Sequence, residues 1–197
     1  EFMIDSAQHG AFGDLTLVCD FENLGIVGHS LGGMMVNHIC RQDPRVKAGI
    51  SLDGSLMGPE ATVPFHKPFM FMIAPTFYET FGDEETLGFA GMTKKEFTTS
   101  LETFCEANGS NSYRLILKGA DHNTFSDAPI LTDFLKQIFS TEDIKLDAGT
   151  IDGFKAVEII RTYVGTFFDR YLKGRPSPLL DGTDKRFSAD VGFNYWA

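Results

Sequence analysis

Apolar runs separated by polar, glycine-bearing and proline-bearing stretches change period along this chain, and the change predicts strands alternating with helices. Leu24–His29 reads as a short strand, and residues 30–41 continue as a helix whose apolar positions are Met34, Met35, Val36 and Ile39, closed by Asp43-Pro44. Val46–Leu52 is a second strand ending in Asp53-Gly54. After a loop over residues 59–68, residues 69–74 form an unbroken apolar run, the pattern of a strand buried on both faces of a parallel sheet. Residues 75–91 read as irregular and acidic. Residues 93–107 predict a helix with Thr93 as N-cap and Glu96 in the capping-box position. Residues 113–117 are a fourth central strand, running into Lys118-Gly119-Ala120-Asp121-His122. Residues 129–139 and 151–173 predict two further helices, the second amphipathic through Phe154, Val157, Ile160, Val164, Phe167, Phe168 and Leu172.

The ends are less regular. Residues 1–14 predict a loop or frayed helix end, with Glu1-Phe2 before Met3 reading as a cloning scar, and residues 15–19 a short strand. Residues 176–197, with their prolines and glycines, predict a surface tail. Taken together the pattern predicts one α/β domain over residues 1–197: a mostly parallel sheet of about four to five strands flanked by helices, with ligands at the carboxyl ends of the strands.

Gly28-His29-Ser30-Leu31-Gly32 joins the first strand to the first helix and has the G-x-S-x-G form of a nucleophile elbow in its required context. The turn is so tight that Gly28 and Gly32 are expected to be sterically demanded, with Gly33 in support. Ser30 would then be held in a strained conformation with its hydroxyl outward. The first helix N–H groups, that of Leu31 foremost, would face developing oxyanion charge.

Composition narrows the partners. The 43% apolar content of 197 residues suits a soluble globular protein with a sizeable core, and no segment reaches the length of a membrane span. A net charge of -10 disfavours nucleic acid and anionic membranes. Nineteen phenylalanines against one tryptophan point to an aromatic core; Phe77, Phe81 and Phe125 are candidates for an acyl pocket, with core packing the simpler role. Cys19, Cys40 and Cys105 form neither a metal spacing nor an even disulfide framework and read as buried thiols, and the compartment is left open.

A serine hydroxyl needs a general base within reach, and that base needs an acid to fix its tautomer. In α/β-hydrolases the chain order is nucleophile, acid, base, and Ser30, Asp53 and His122 follow it, all three at strand ends. His9, His38 and His66 lack such a position, and His29, inside the elbow, reads as a packing residue. Asp53 is the favoured acid, with Glu79 and Asp83, one strand later, as the alternatives.

These stretches resemble the platelet-activating-factor acetylhydrolase-like α/β-hydrolases, related to dienelactone hydrolases. The resemblance lies in residues 25–33, 43–58, 119–127 and 163–180 and covers most of residues 24–180. It implies hydrolysis of carboxylic esters, often with short acyl chains, without metal or cofactor, and an acid at the position of Asp53. Such hydrolases usually have about eight strands, so the first half of the sheet is expected to be missing here, with the loop that supplies a second oxyanion donor. A strand left without its neighbour would seek a partner, so a homo-oligomer with residues 15–19 and the elbow strand at the contact is expected. The other readings are a hydrolase-fold protein that binds a ligand or partner without turnover, and a weakly active fragment of a larger esterase.

Overall fold

The computed structural model describes residues 6, 9–10, 19–56, 58, 62–79, 82, 84–87, 92–109, 111–140 and 148–196. Among them, β1 (Leu24–His29), β2 (Val46–Leu52), β3 (Phe69–Ile73), β6 (Ser112–Leu117) and β7 (Val191–Trp196) form one sheet in the order β1-β2-β3-β6-β7. The first four strands are parallel and β7 lies antiparallel to β6. A separate antiparallel pair, β4 (Thr86–Leu87) and β5 (Met92–Thr93), punctuates the stretch expected to be irregular. Helices α1 (Leu31–Gln42), α2 (Pro75–Glu79), α3 (Lys94–Asn108), α4 (Ala128–Phe139) and α5 (Gly153–Lys173), with a 3-10 turn at His122–Phe125, complete the described elements. This is the α/β architecture with a mostly parallel sheet that the pattern predicts.

Alternation along the strands explains how both faces are filled. On β3, Phe69 and Phe71 point to the side where Val36 and Cys40 of α1 and Phe97, Leu101, Phe104 and Cys105 of α3 pack. Met70 and Met72 point to the opposite side, against a cluster holding Ala156, Ile159, Tyr163 and Phe167 of α5. A strand serving two cores can carry no polar face, hence the unbroken apolar run. Burial pushes the Cys40 and Cys105 thiols up to about 12, so both are inert, as expected. Cys19, by contrast, is exposed.

α3 starts as its sequence signal requires: Glu96 N–H donates to Thr93 Oγ1 at 3.1 Å, and Thr93 N–H donates to Glu96 Oε2 at 2.7 Å. At the other end of α1, Lys67 Nζ donates to the Cys40 and Asp43 carbonyls at 2.7 and 2.8 Å, satisfying orphan groups of the last turn.

Residues 176–197 correct the expectation of a surface tail. Leu179, Leu180, Phe187 and Val191 are buried in the cluster under α5, and β7 closes the sheet beyond β6. Tyr113 of β6 stacks on Tyr195 with ring centroids 5.0 Å apart. β7 lies at the end of the strand order; its Val191, Phe193 and Tyr195 alternate with Gly192 and Asn194, a short period-2 signal that follows residues rich in proline and glycine. Most of the expected strand over residues 15–19 lies outside the described residues; Cys19 is not in a strand.

Candidate active site

The register of the sheet brings two strand ends together. His29 pairs with Leu52, so the next residues, Ser30 and Asp53, stand opposite one another at the carboxyl end of β1 and β2. Each extends its ladder by one rung: Ser30 N–H donates to the Leu52 carbonyl at 2.9 Å, and Asp53 N–H to the Met72 carbonyl at 2.7 Å. Each then leaves its strand with a positive φ, 57° at Ser30 and 49° at Asp53. Such a backbone costs a non-glycine residue about 1–3 kcal/mol and is held only by its surroundings.

Those surroundings are glycines, though not quite the expected ones. A Cβ on Gly28 would collide with the Gly32 carbonyl, one on Gly33 would come within 2.7 Å of Ser51 Oγ, and one on Gly54 within 2.7 Å of the Gly33 and Met34 backbone. Gly32 has open space where its Cβ would be, so its steric necessity is not seen. The positions that force close approach are therefore Gly28, Gly33 and Gly54, which let the start of α1 and the Asp53 turn nest against each other.

His122 arrives from β6, beyond the intervening β3. The loop crosses the end of β3, where Thr76 N–H donates to the Ala120 carbonyl at 3.3 Å. It then enters a single 3-10 turn at His122–Phe125. Asp121 Oδ1 accepts from the His122 N–H at 2.6 Å, and Thr124 Oγ1 accepts from the Asp121 N–H at 2.8 Å. The buried Thr124 hydroxyl donates onward to the Ala148 carbonyl at 2.6 Å. These bonds set the ring.

Ser30, His122 and Asp53 meet in one hydrogen-bonded chain. Asp53 is buried, and its Oδ1 accepts the Ala74 N–H at 2.9 Å while its Oδ2 lies 2.7 Å from His122 Nδ1. A carboxylate can only accept, so Nδ1 carries the proton and Nε2 presents a lone pair to the Ser30 hydroxyl at 2.9 Å. The bond to Asp53 raises the His122 pKa above the ordinary imidazole value of 6.5, against the lowering effect of desolvation; the charges of Asp53 and Asp121 add to it.

α1 begins directly after Ser30. Met34 N–H is bonded to the Ser30 carbonyl, which leaves the N–H groups of Leu31 and Gly32 in the first turn, where no intrahelical carbonyl is available. The Leu31 side chain is 66% exposed.

The remaining candidates fall elsewhere. Glu79 is exposed at the end of α2, Asp83 and Phe81 lie outside the described residues, and nothing is described of the Phe77 side chain. Phe125 packs against the α5-side cluster, with its ring 6.2 Å from that of His29. His9, His38 and His66 are exposed. His29, read as a packing residue, instead sits beside the chain: its Nε2 lies 2.9 Å from the His122 carbonyl and its ring centroid 4.7 Å from that of His122. An imidazole at the variable position of the elbow was the available signal. Among the described residues no group of three or more His, Cys, Asp or Glu could hold a metal ion, and no helix is long and apolar enough to cross a membrane.

Comparison with known proteins gives the same architecture a family. A ferulic acid esterase from Streptomyces cinnamoneus superposes over 96% of this chain with a TM-score of 0.68 at 27% identity. A protein of Arthroderma benhamiae named probable 1-alkyl-2-acetylglycerophosphocholine esterase is 28% identical over 171 residues, or 83% of the chain. A carboxymethylenebutenolidase homolog of Rattus norvegicus is 34% identical over 56 residues, 28% of the chain and 23% of its own length. The chain spans 41% of the Arthroderma protein and 55% of the Streptomyces esterase. The family model for platelet-activating factor acetylhydrolase, isoform II, matches residues 6–175, and the chain belongs to that family.

Proposed function

We propose that this chain carries the catalytic end of a serine carboxylic-ester hydrolase. The observation that carries the reading is the chain of two hydrogen bonds from Ser30 through His122 to Asp53, 2.9 and 2.7 Å long. His122 Nε2 takes the hydroxyl proton as Ser30 Oγ bonds to the ester carbonyl carbon. The carbonyl oxygen becomes an oxyanion, which the Leu31 N–H receives at the head of α1. As the intermediate collapses, the C–O bond to the alcohol breaks and His122 returns the proton to the departing oxygen. Water then attacks the acyl-serine in the same way, yielding the carboxylic acid and free Ser30. Asp53 holds the Nδ1–H tautomer and steadies the imidazolium without taking the proton.

The acetyl ester in the Arthroderma relative's name supports short acyl chains over long ones. A single helix-end donor would leave the oxyanion under-stabilised, since losing one donor typically costs about 100- to 1,000-fold in turnover. Self-association through the β1 side of the sheet belongs to the same proposal. Turnover of p-nitrophenyl esters of increasing acyl length, beside Ser30→Ala, tests the reading. The expected result is the highest rate on acetate and none with Ser30→Ala; equal turnover by Ser30→Ala would remove Ser30 as the nucleophile, and no turnover by the parent chain would leave ligand or partner binding as the better account.

A further inference from the structure

His29 joins the two loops that the reaction must hold in register. It is the last residue of β1, adjacent to Ser30, and its side chain reaches not into the core but to the main chain of the base-bearing loop. The His122 carbonyl can only accept, so His29 is the donor and carries its proton on Nε2. A half-buried carbonyl is thereby satisfied by a group fixed to the nucleophile strand. The two imidazoles lie at an interplanar angle of 39°, and the Phe125 ring also neighbours His29, tilted by 41°. Desolvation, and then the charge of His122, lower the His29 pKa below 6.5, so His29 stays neutral while its neighbour cycles through the imidazolium.

Resting on the serine-hydrolase reading, we infer that His29 is a positioning residue: its Nε2–H bond to the His122 carbonyl fixes the loop so that the His122 ring meets Ser30 and Asp53 together. The His29 Nε2 is occupied by this bond, and the imidazole that reaches the Ser30 hydroxyl is that of His122, at 2.9 Å. Without the bond the loop backbone would be held by the Asp121 cap, the Thr124 tie to Ala148 and the Thr76–Ala120 bond, none of which involves a residue of β1.

The test compares His29→Gln with His29→Leu in the whole chain. Gln places an amide N–H the same number of bonds from the backbone as His Nε2; Leu fills part of the space without a donor. With p-nitrophenyl acetate, His29→Leu should lose roughly tenfold to a hundredfold in kcat with KM little changed, the scale of a small misplacement of a catalytic group. His29→Gln should recover most of that loss.

NMR titration of His122 gives a readout independent of turnover. The groups facing its ring are Asp53, Asp121 and His29. In His29→Leu the His122 pKa should drop toward 6.5 as the bond to Asp53 loosens, and in His29→Gln it should stay raised. Parental kcat and parental His122 titration in His29→Leu would overturn the inference, as would a Gln variant impaired as deeply as Leu. If His29→Leu does not fold, His29→Asn, whose amide is one bond too short, takes its place. Should Ser30→Ala turn over like the parent, the hydrolase reading fails, and the His122 titration still decides the role of His29.

Discussion

At the scale of single residues, protonation of His122 links rate to pH. Only neutral imidazole can take the Ser30 proton, so kcat/KM should rise with pH through the His122 pKa, which lies above 6.5 because Asp53 accepts the Nδ1–H. Stability should move oppositely. A folded pKa raised above the unfolded value contributes stability that is fully present below about 6.5 and is lost as pH rises through the folded pKa. His29 has the reverse sign: its lowered pKa contributes stability above about 6.5 that is lost as pH falls through the folded value. His122→Ala should therefore be inactive and should lose the part of the stability profile that declines above pH 6.5, as read by urea titration at several pH values. A kcat/KM profile flat from pH 5 to 8 would count against His122 as base.

At the scale of elements, β1 is an exposed strand. It lies at the end of the strand order among the described residues, with Val27 44% exposed, and it leads into Leu31 at 66% and Met35 at 46%. An edge of this kind pairs readily with another chain unless something covers it. Light scattering at micromolar concentration should report a dimer or larger species, and Val27→Lys should shift it toward monomer; a strict monomer in the parent chain would refute self-association here. Much of this layer was legible beforehand. The capping box at Thr93 and Glu96, the elbow after Leu24–His29 and the continuous run at β3 each follow from a local rule that tertiary packing did not override. β7 was hidden behind the proline- and glycine-bearing residues that precede it: its alternation of Val191, Phe193 and Tyr195 is short, and an antiparallel edge strand is specified by its partner, here Tyr113 and Leu115 of β6, as much as by its own composition. The role of His29 was hidden for a related reason: an imidazole at a strand end looks alike whether it packs or donates, and the acceptor lies 93 residues away.

At the scale of the molecule, three loops separated by 23 and 69 positions converge on one edge of a parallel sheet, and the convergence follows from strand order alone. β1 and β2 are neighbours, so Ser30 and Asp53 stand side by side; β6 lies beyond β3, so the His122 loop must cross the β3 end to complete the chain of hydrogen bonds. The sheet is in this sense the scaffold of the site and the glycines at 28, 33 and 54 its clearances. The measurement that bears most directly on this account is reaction with a fluorophosphonate probe followed by mass spectrometry of the adduct. The account predicts one adduct on Ser30, none in Ser30→Ala, and slow labelling in His122→Ala; an adduct on another residue, or labelling of Ser30→Ala equal to the parent, would contradict it.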